Sequence, residues 1–293
     1  MARGLEVPWA LAWDPSGALW FTQRTGKLTR LGSPSRDVAG VVPTGEGGLT
    51  GLEIDRQGRM FVMYTSASDN RIVRLEQDGS QIILVSGIAK AAIHDAGRLR
   101  LGPDGTLYAS TGDAGQPALA PDASTLNGKV LKVDPDKGGS TVFTKGHRNP
   151  EGLCFAPDGR FLSTEHGPTG NDEINVLRAG FDGGWPGTSG NGIKNYPSSV
   201  APAGCAVYGA DLIPQWKGSM LFGTLRGESL RRLSFRVDGS VASEEVLYGN
   251  TYGRIRDVAV GPDGAVYFTT SNRDGRGSVN AGDDKILRIA PAR

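Results

Sequence analysis

One unit recurs along the chain: an apolar run, a turn built from Asp, Pro and Gly, a second apolar run, and a strand of the form Φ-x-Arg-Φ. It occurs six times, beginning at Leu11, Leu52, Leu99, Leu153, Leu212 and Val258. The turn glycines fall at Gly17, Gly58, Gly105, Gly159, Gly218 and Gly264. In such a turn Pro sets φ at the second position and Gly accepts φ > 0, so each copy reads as a β-hairpin followed by a third strand. The spacing is too irregular for a solenoid of identical helical pairs, and sustained 3.6-residue periodicity is hard to find. Six units in 293 residues leave about 49 residues each, which suits four-stranded blades joined by loops of variable length. The expectation is therefore an all-β, single-domain six-bladed β-propeller over residues 1–293. The last copy stops after its third strand near Lys285 to Ile289, so Ala2 to Val7 should supply its outer strand and close the last blade.

Composition agrees with this and removes several functional classes. Glycine (44) and proline (17) are abundant without a collagen period, as many tight turns require. The formal net charge of +1 provides no field to gather nucleic acid or an anionic membrane, so anion chemistry must be local. No apolar stretch reaches the roughly 20 residues of a membrane helix. The first ten residues contain no export signal, although a chain already trimmed of one would look the same. Cys154 and Cys205 are the only cysteines. Two are too few for a disulfide scaffold, and each reads better as a small apolar strand residue than as half of a bridge.

The three histidines all lie in dense polar motifs: His94 in HDAGR, His147 in GHRNPEG and His166 in EHGPTGNDE. Loops of this kind gather at the channel mouth of a propeller. His94 is the strongest candidate base, with Asp95 beside it as an orienting carboxylate. His147 reads more simply as a hydrogen-bonded structural residue. Glu165, Asp172 and Glu173, with the Gly167-Pro168 backbone, offer the hard oxygen ligands that suit Ca²⁺, or else a turn of solvated charges. Arg148, Arg226, Arg254 and Arg256 are candidate anion ligands, because a guanidinium grips carboxylates bidentately and keeps its charge. The alternative for each is a strand-face arginine paired with Asp or Glu. Arg254 and Arg256 alternate around Ile255, so they should share one face of a strand, where Asp257 or another carboxylate could neutralise them.

Taken in order, HDAGRLRLGPDGTLYASTGD, GKVLKV, GHRNPEGL, EHGPTGNDEINVL, GGWP, LFGTLRGESLRRL and RIRDVAVGPDG closely resemble the soluble glucose/sorbosone dehydrogenase family, which includes pyrroloquinoline quinone (PQQ)-dependent aldose sugar dehydrogenases. The resemblance runs from Val7 to the last strand, and the family's propeller has six blades. It implies that His94 removes the C1 hydroxyl proton of an aldose while hydride passes from C1 to the quinone, giving the lactone. It implies that Arg148 and Asn149 contact PQQ, with Arg148 catalytic where negative charge develops. Arg226, Arg254 and Arg256 would face the cofactor's three carboxylates, and Glu46 would lie near cofactor and sugar. The carbonyls of Gly167 and Pro168 would hold the Ca²⁺ that polarises PQQ; Glu173 and the Gly183 carbonyl match a further calcium site. The implied partners are an aldose and an external electron acceptor, and the implied location is periplasmic or secreted.

The chain departs from the family pattern in three places. The segment that carries cofactor-covering aromatic residues is here the short GTSGNGIKNYPSSVAPAG, in which only Tyr196 remains. HDAG replaces the more usual HxGG or HxSG, and Ala114 follows Gly112-Asp113 where some members place a sugar-contacting polar residue. Two other functions fit such a scaffold. A lactonase-type hydrolase would need a metal held by a central Glu/Asn/Asp cluster, and a non-catalytic binding propeller would keep the blades without the chemistry.

Overall fold

The computed structural model describes residues 1–187 and 191–291; the first part of the shortened segment, 188–190, lies outside the described residues. The fold is an all-β six-bladed propeller of antiparallel sheets. Four sheets of consecutive strands begin it: β1 (Pro8–Trp13), β2 (Leu19–Gln23), β3 (Lys27–Arg30) and β4 (Arg36–Asp37); β5 (Leu49–Ile54), β6 (Met60–Thr65), β7 (Asn70–Leu75) and β8 (Gln81–Ile88); β9 (Ala96–Leu101), β10 (Leu107–Thr111), β11 (Lys129–Val133) and β12 (Ser140–Thr144); β13 (Pro150–Phe155), β14 (Phe161–Glu165), β15 (Asp172–Leu177) and β16 (Lys194–Tyr196). The fifth comprises β17 (Pro202–Val207), β18 (Met220–Thr224), β19 (Ser229–Phe235) and β20 (Val241–Leu247), and the last β21 (Ile255–Val260), β22 (Val266–Thr270) and β23 (Ile286–Ile289).

The hairpin turns form as their residue types demand. All six repeat glycines have positive φ, between 74° and 88°. Asp14 shows how the turn is tied, its Oδ1 accepting from the amides of Ser16 at 2.9 Å and Ala18 at 3.1 Å. The N-terminal segment fills the outer position of the last blade, but as a single bridge rather than a regular strand. Ala2 pairs with Ile286, and Leu5 exchanges backbone bonds of 3.0 Å with Asp284. Gly4 at φ 68° and Val7 at φ 53° interrupt the extended run that a full strand would need.

The chain forms two compact units, residues 9–151 with 178–187, and residues 1–8 with 152–177 and 191–291. In the first, Trp9, Leu28, Leu49, Val62 and Val73 form one buried cluster and Phe61, Ile72, Leu99, Leu107 and Leu131 another. In the second, Leu162, Ile174, Cys205, Phe222 and Leu233 pack together, as do Tyr208, Leu230, Val258 and Phe268. The cysteines correct the expectation. Cys154 in β13 and Cys205 in β17 form a disulfide, with Cα atoms 5.8 Å apart, that staples the first strands of two neighbouring sheets. Fifty-one residues separate them in sequence, and only the strand pairing reveals their proximity. Tyr196 is likewise a core residue, buried against Phe222 with its hydroxyl donating to Glu244 at 2.9 Å.

Candidate functional site

His94 lies two residues before β9 and Asp113 two residues after β10, and Ala96 pairs with Thr111 across those two strands, so the antiparallel hairpin brings both loops to one end of the sheet. Gly112 allows them to touch, since a Cβ there would lie 1.9 Å from the His94 carbonyl oxygen. His94 itself is held at φ 59°, a conformation that costs a non-glycine residue free energy and that recurs at functional sites. Its amide donates to Glu46 Oε2 at 2.7 Å. Its ring Nδ1 lies 2.7 Å from Asp113 Oδ1.

Asp113 is fully buried and ionised. Burial pushes its carboxyl up, but hydrogen bonds from His94, Trp185 and Gly115 outweigh that and hold it below its ordinary value. Trp185 Nε1 donates to Oδ2 at 2.9 Å and the Gly115 amide to Oδ1 at 2.8 Å. An ionised carboxylate accepts only, so Nδ1 of His94 carries the proton that lies between the two groups. The carboxylate against the His94 ring is thus Asp113 rather than the adjacent Asp95, which instead takes the Asn70 amide at 2.8 Å and the Ala91 amide at 3.0 Å. Strand pairing, not proximity in sequence, selects the partner, and nothing in the sequence GGWP singles out its tryptophan.

Arg148 and Asn149 join this group through the backbone and through Trp185. The Asp113 amide donates to the Arg148 carbonyl at 2.8 Å, and the Arg148 guanidinium carbon lies 5.6 Å from the centre of the Trp185 ring. Asn149 donates to Glu151 Oε1 at 3.0 Å, while its Oδ1 is buried with no partner. A buried acceptor without a partner fits a bound polar ligand such as PQQ. His147 is completely buried with Nε2 2.8 Å from Thr144 Oγ1, the structural residue anticipated. Gly183 is anchored by its amide to the Lys145 carbonyl at 2.9 Å.

The remaining residues belong to the second unit. Gly167 and Pro168 form the turn between β14 and β15, where a Cβ on Gly167 would lie 2.1 Å from the Gly170 carbonyl oxygen and 2.4 Å from that of Asn171. This is a carbonyl-rich cradle of the kind a hard cation takes. Glu173 stands directly opposite Glu165 in the strand ladder, both buried, on a face where Ser163 Oγ and Asn175 Oδ1 lack partners. Two facing carboxylates destabilise a strand pair, so oxygen ligands here also suit Ca²⁺. Among the described residues no group of three or more His, Cys, Asp or Glu side chains is arranged to hold a metal; backbone and amide oxygens would have to contribute.

Arg254 and Arg256 share one face and are both buried. Asp274 Oδ2 meets them both, at 2.8 Å from Arg254 Nε and 3.4 Å from Arg256 Nη2. Burial lowers the Arg254 pKa, while the two guanidiniums hold Asp274 below its ordinary value against its own burial. Arg226 is exposed in the turn after β18, its amide donating to the Val200 carbonyl at 3.1 Å.

Comparison with known proteins bears on this arrangement. A model of the glucose/sorbosone dehydrogenase family matches residues 5–287. The PQQ-bound form of aldose sugar dehydrogenase from Streptomyces coelicolor superimposes with a TM-score of 0.88 at 34% identity, over 99% of this chain and 95% of that one. Aldose sugar dehydrogenase YliI of Escherichia coli strain K12 is 28% identical over 347 residues, covering 98% of this chain and 91% of its own. Quinoprotein glucose dehydrogenase B of Acinetobacter calcoaceticus is 31% identical over 245 residues, 64% of this chain and 51% of its own. No helix among the described residues is long and apolar enough to cross a membrane.

Proposed function

Because the chain belongs to the glucose/sorbosone dehydrogenase family, we propose that it is a PQQ-dependent aldose sugar dehydrogenase that oxidises the C1 hydroxyl of its sugar to the lactone, acting as one catalytic domain. The observation that carries this reading is the His94–Asp113 pair, in which the ring Nδ1 lies 2.7 Å from the buried carboxylate. His94 Nε2 takes the C1 hydroxyl proton, and Asp113 stabilises the imidazolium that results. PQQ, when bound, would supply the two-electron acceptor for the C1 hydride, and Ca²⁺ would supply Lewis-acid assistance to it. Arg148 stabilises developing negative charge, Asn149 offers its orphan oxygen, and Glu46 orients the His94 loop. Arg226, Arg254 and Arg256 would meet the cofactor's carboxylates, a role supported by the placing of two buried guanidiniums on one strand face. The carbonyls of Gly167 and Pro168 would hold the catalytic Ca²⁺. Glu173 in one unit and the Gly183 carbonyl in the other would each offer an oxygen ligand for structural calcium.

The disulfide supports a periplasmic or secreted location, since such bonds persist in oxidising compartments, and electrons would pass to an external acceptor. The test is dye reduction by purified protein loaded with PQQ and Ca²⁺ across a panel of aldoses, with lactone hydrolysis assayed in parallel. The expected result is sugar-dependent dye reduction that chelation abolishes. Hydrolysis without dye reduction would replace this reading with the lactonase one, and neither activity would leave a binding propeller.

A further inference from the structure

Trp185 contacts both halves of the candidate machinery. Its indole Nε1 donates to Asp113 Oδ2 at 2.9 Å, and its ring lies under the Arg148 guanidinium at 5.6 Å. The indole is itself fixed from behind, since the Trp185 amide donates to the Gly146 carbonyl at 3.0 Å and the neighbouring Gly183 amide to Lys145. We propose that Trp185 is a positioning residue that locks Asp113 in the orientation fixing His94 as the Nδ1–H tautomer, and that seats Arg148 with the same ring.

The chemistry of the donors makes the lock one-directional. An indole N–H donates and cannot accept. The Gly115 amide also donates, to Oδ1 at 2.8 Å, so both oxygens accept from N–H groups, and such bonds favour the ionised carboxylate. The proton shared with the imidazole therefore stays on Nδ1. Removing the indole N–H would leave a buried carboxylate oxygen bare, which is costly, and Asp113 would turn to recover a donor. Phe lacks the donor, Tyr would place an acceptor there as well, and only Trp joins an edge donor to a face broad enough for a guanidinium.

With His94 as the base, as proposed above, the test reads its tautomer directly. In the ¹⁵N-labelled full chain without cofactor, the imidazole nitrogens of His94 are assigned by their loss in His94→Asn. Wild type is expected to show a protonated Nδ1 and a bare Nε2. Trp185→Phe should convert this to an averaged signature, leave the signals of His147 and His166 in place, and add nothing in an Asp113→Asn background. In the loaded enzyme the same variant should lower kcat about tenfold with little change in KM, and Trp185→Leu, which also unseats Arg148, should lower it further. A folded Trp185→Phe protein with the wild-type His94 signature would overturn the proposal. Should that variant not fold, the indole proton of Trp185 in the otherwise wild-type chain must shift when Asp113 is changed to Ala, and an unmoved resonance would equally overturn it. A wild-type protein inert toward every aldose would refute the dehydrogenase reading while the tautomer measurement still decided the role of Trp185.

Discussion

Asp95 carries at neutral pH a charge that its surroundings resist. It is 4% exposed, its Oδ2 has no partner, and burial pushes its carboxyl up to about 6, with Glu46 and Glu151 adding repulsion. An acid whose folded pKa lies above the unfolded value of about 3.9 binds its proton more tightly when folded, so stability falls as pH rises from about 4 to about 6 and the loss is complete above that. Asp95→Asn keeps the acceptor for Asn70 and Ala91 and removes the charge. It should raise stability at pH 7.5 by about 1–3 kcal/mol, with the advantage disappearing near pH 4. Paired urea melts at the two pH values check this; equal stability at pH 7.5 would show that Asp95 is already neutral or solvated there. Of the residues that make the site, His94 was legible in the sequence as the one histidine in an HDAGR loop. Asp113 and Trp185 were not, because Asp113 meets His94 through the register of the β9–β10 hairpin and Trp185 reaches Asp113 from the loop after β15, neither being a neighbour in the chain.

Within the elements, one carboxylate organises the β14–β15 turn. Asp172, fully buried at the start of β15, accepts from the Gly167 amide at 2.9 Å with Oδ1 and from the Val200 and Ala201 amides at 2.7 Å with Oδ2. Residues 200 and 201 in turn hold the next loop, since the Leu225 and Arg226 amides donate to the Ala201 and Val200 carbonyls. Asp172→Ala would strand several buried donors, each worth roughly 1–3 kcal/mol. It should lower the Tm of the apo-protein by several degrees and weaken Ca²⁺ binding at least tenfold by calorimetric titration. Unchanged calcium affinity would detach the Gly167-Pro168 turn from the metal. The oxygen-rich composition of EHGPTGNDE was plain from the sequence. Which of its acids would serve as ligands and which as a brace was not, since both roles use the same side-chain chemistry. Lys129 shows the same limit: a charged strand residue in the sequence, it is wholly buried and gives its ammonium to the carbonyls of Leu119, Ala120 and Asn127.

For the whole molecule, the blade count was readable because a β-hairpin repeated six times leaves a glycine with positive φ in every copy. The inter-blade staple was not, because two cysteines without a third give no pattern. Closing a loop of 51 residues, the disulfide is worth up to about 4 kcal/mol through the unfolded state. Cys154→Ser with Cys205→Ser should lower the Tm by on the order of ten degrees, as should reductant on the wild type; a Tm indifferent to both would mean that the pair contributes nothing to stability. The central claim is that this propeller oxidises an aldose at C1 with His94 as the base. Its most direct test is anaerobic: load the protein with PQQ and Ca²⁺, add aldoses in turn, and follow the quinone absorbance in wild type and in His94→Asn. The account predicts rapid bleaching by at least one aldose in the wild type and bleaching at least about a hundredfold slower in the variant, which still binds PQQ. Bound quinone that no sugar bleaches, or equal rates in the two proteins, would contradict it.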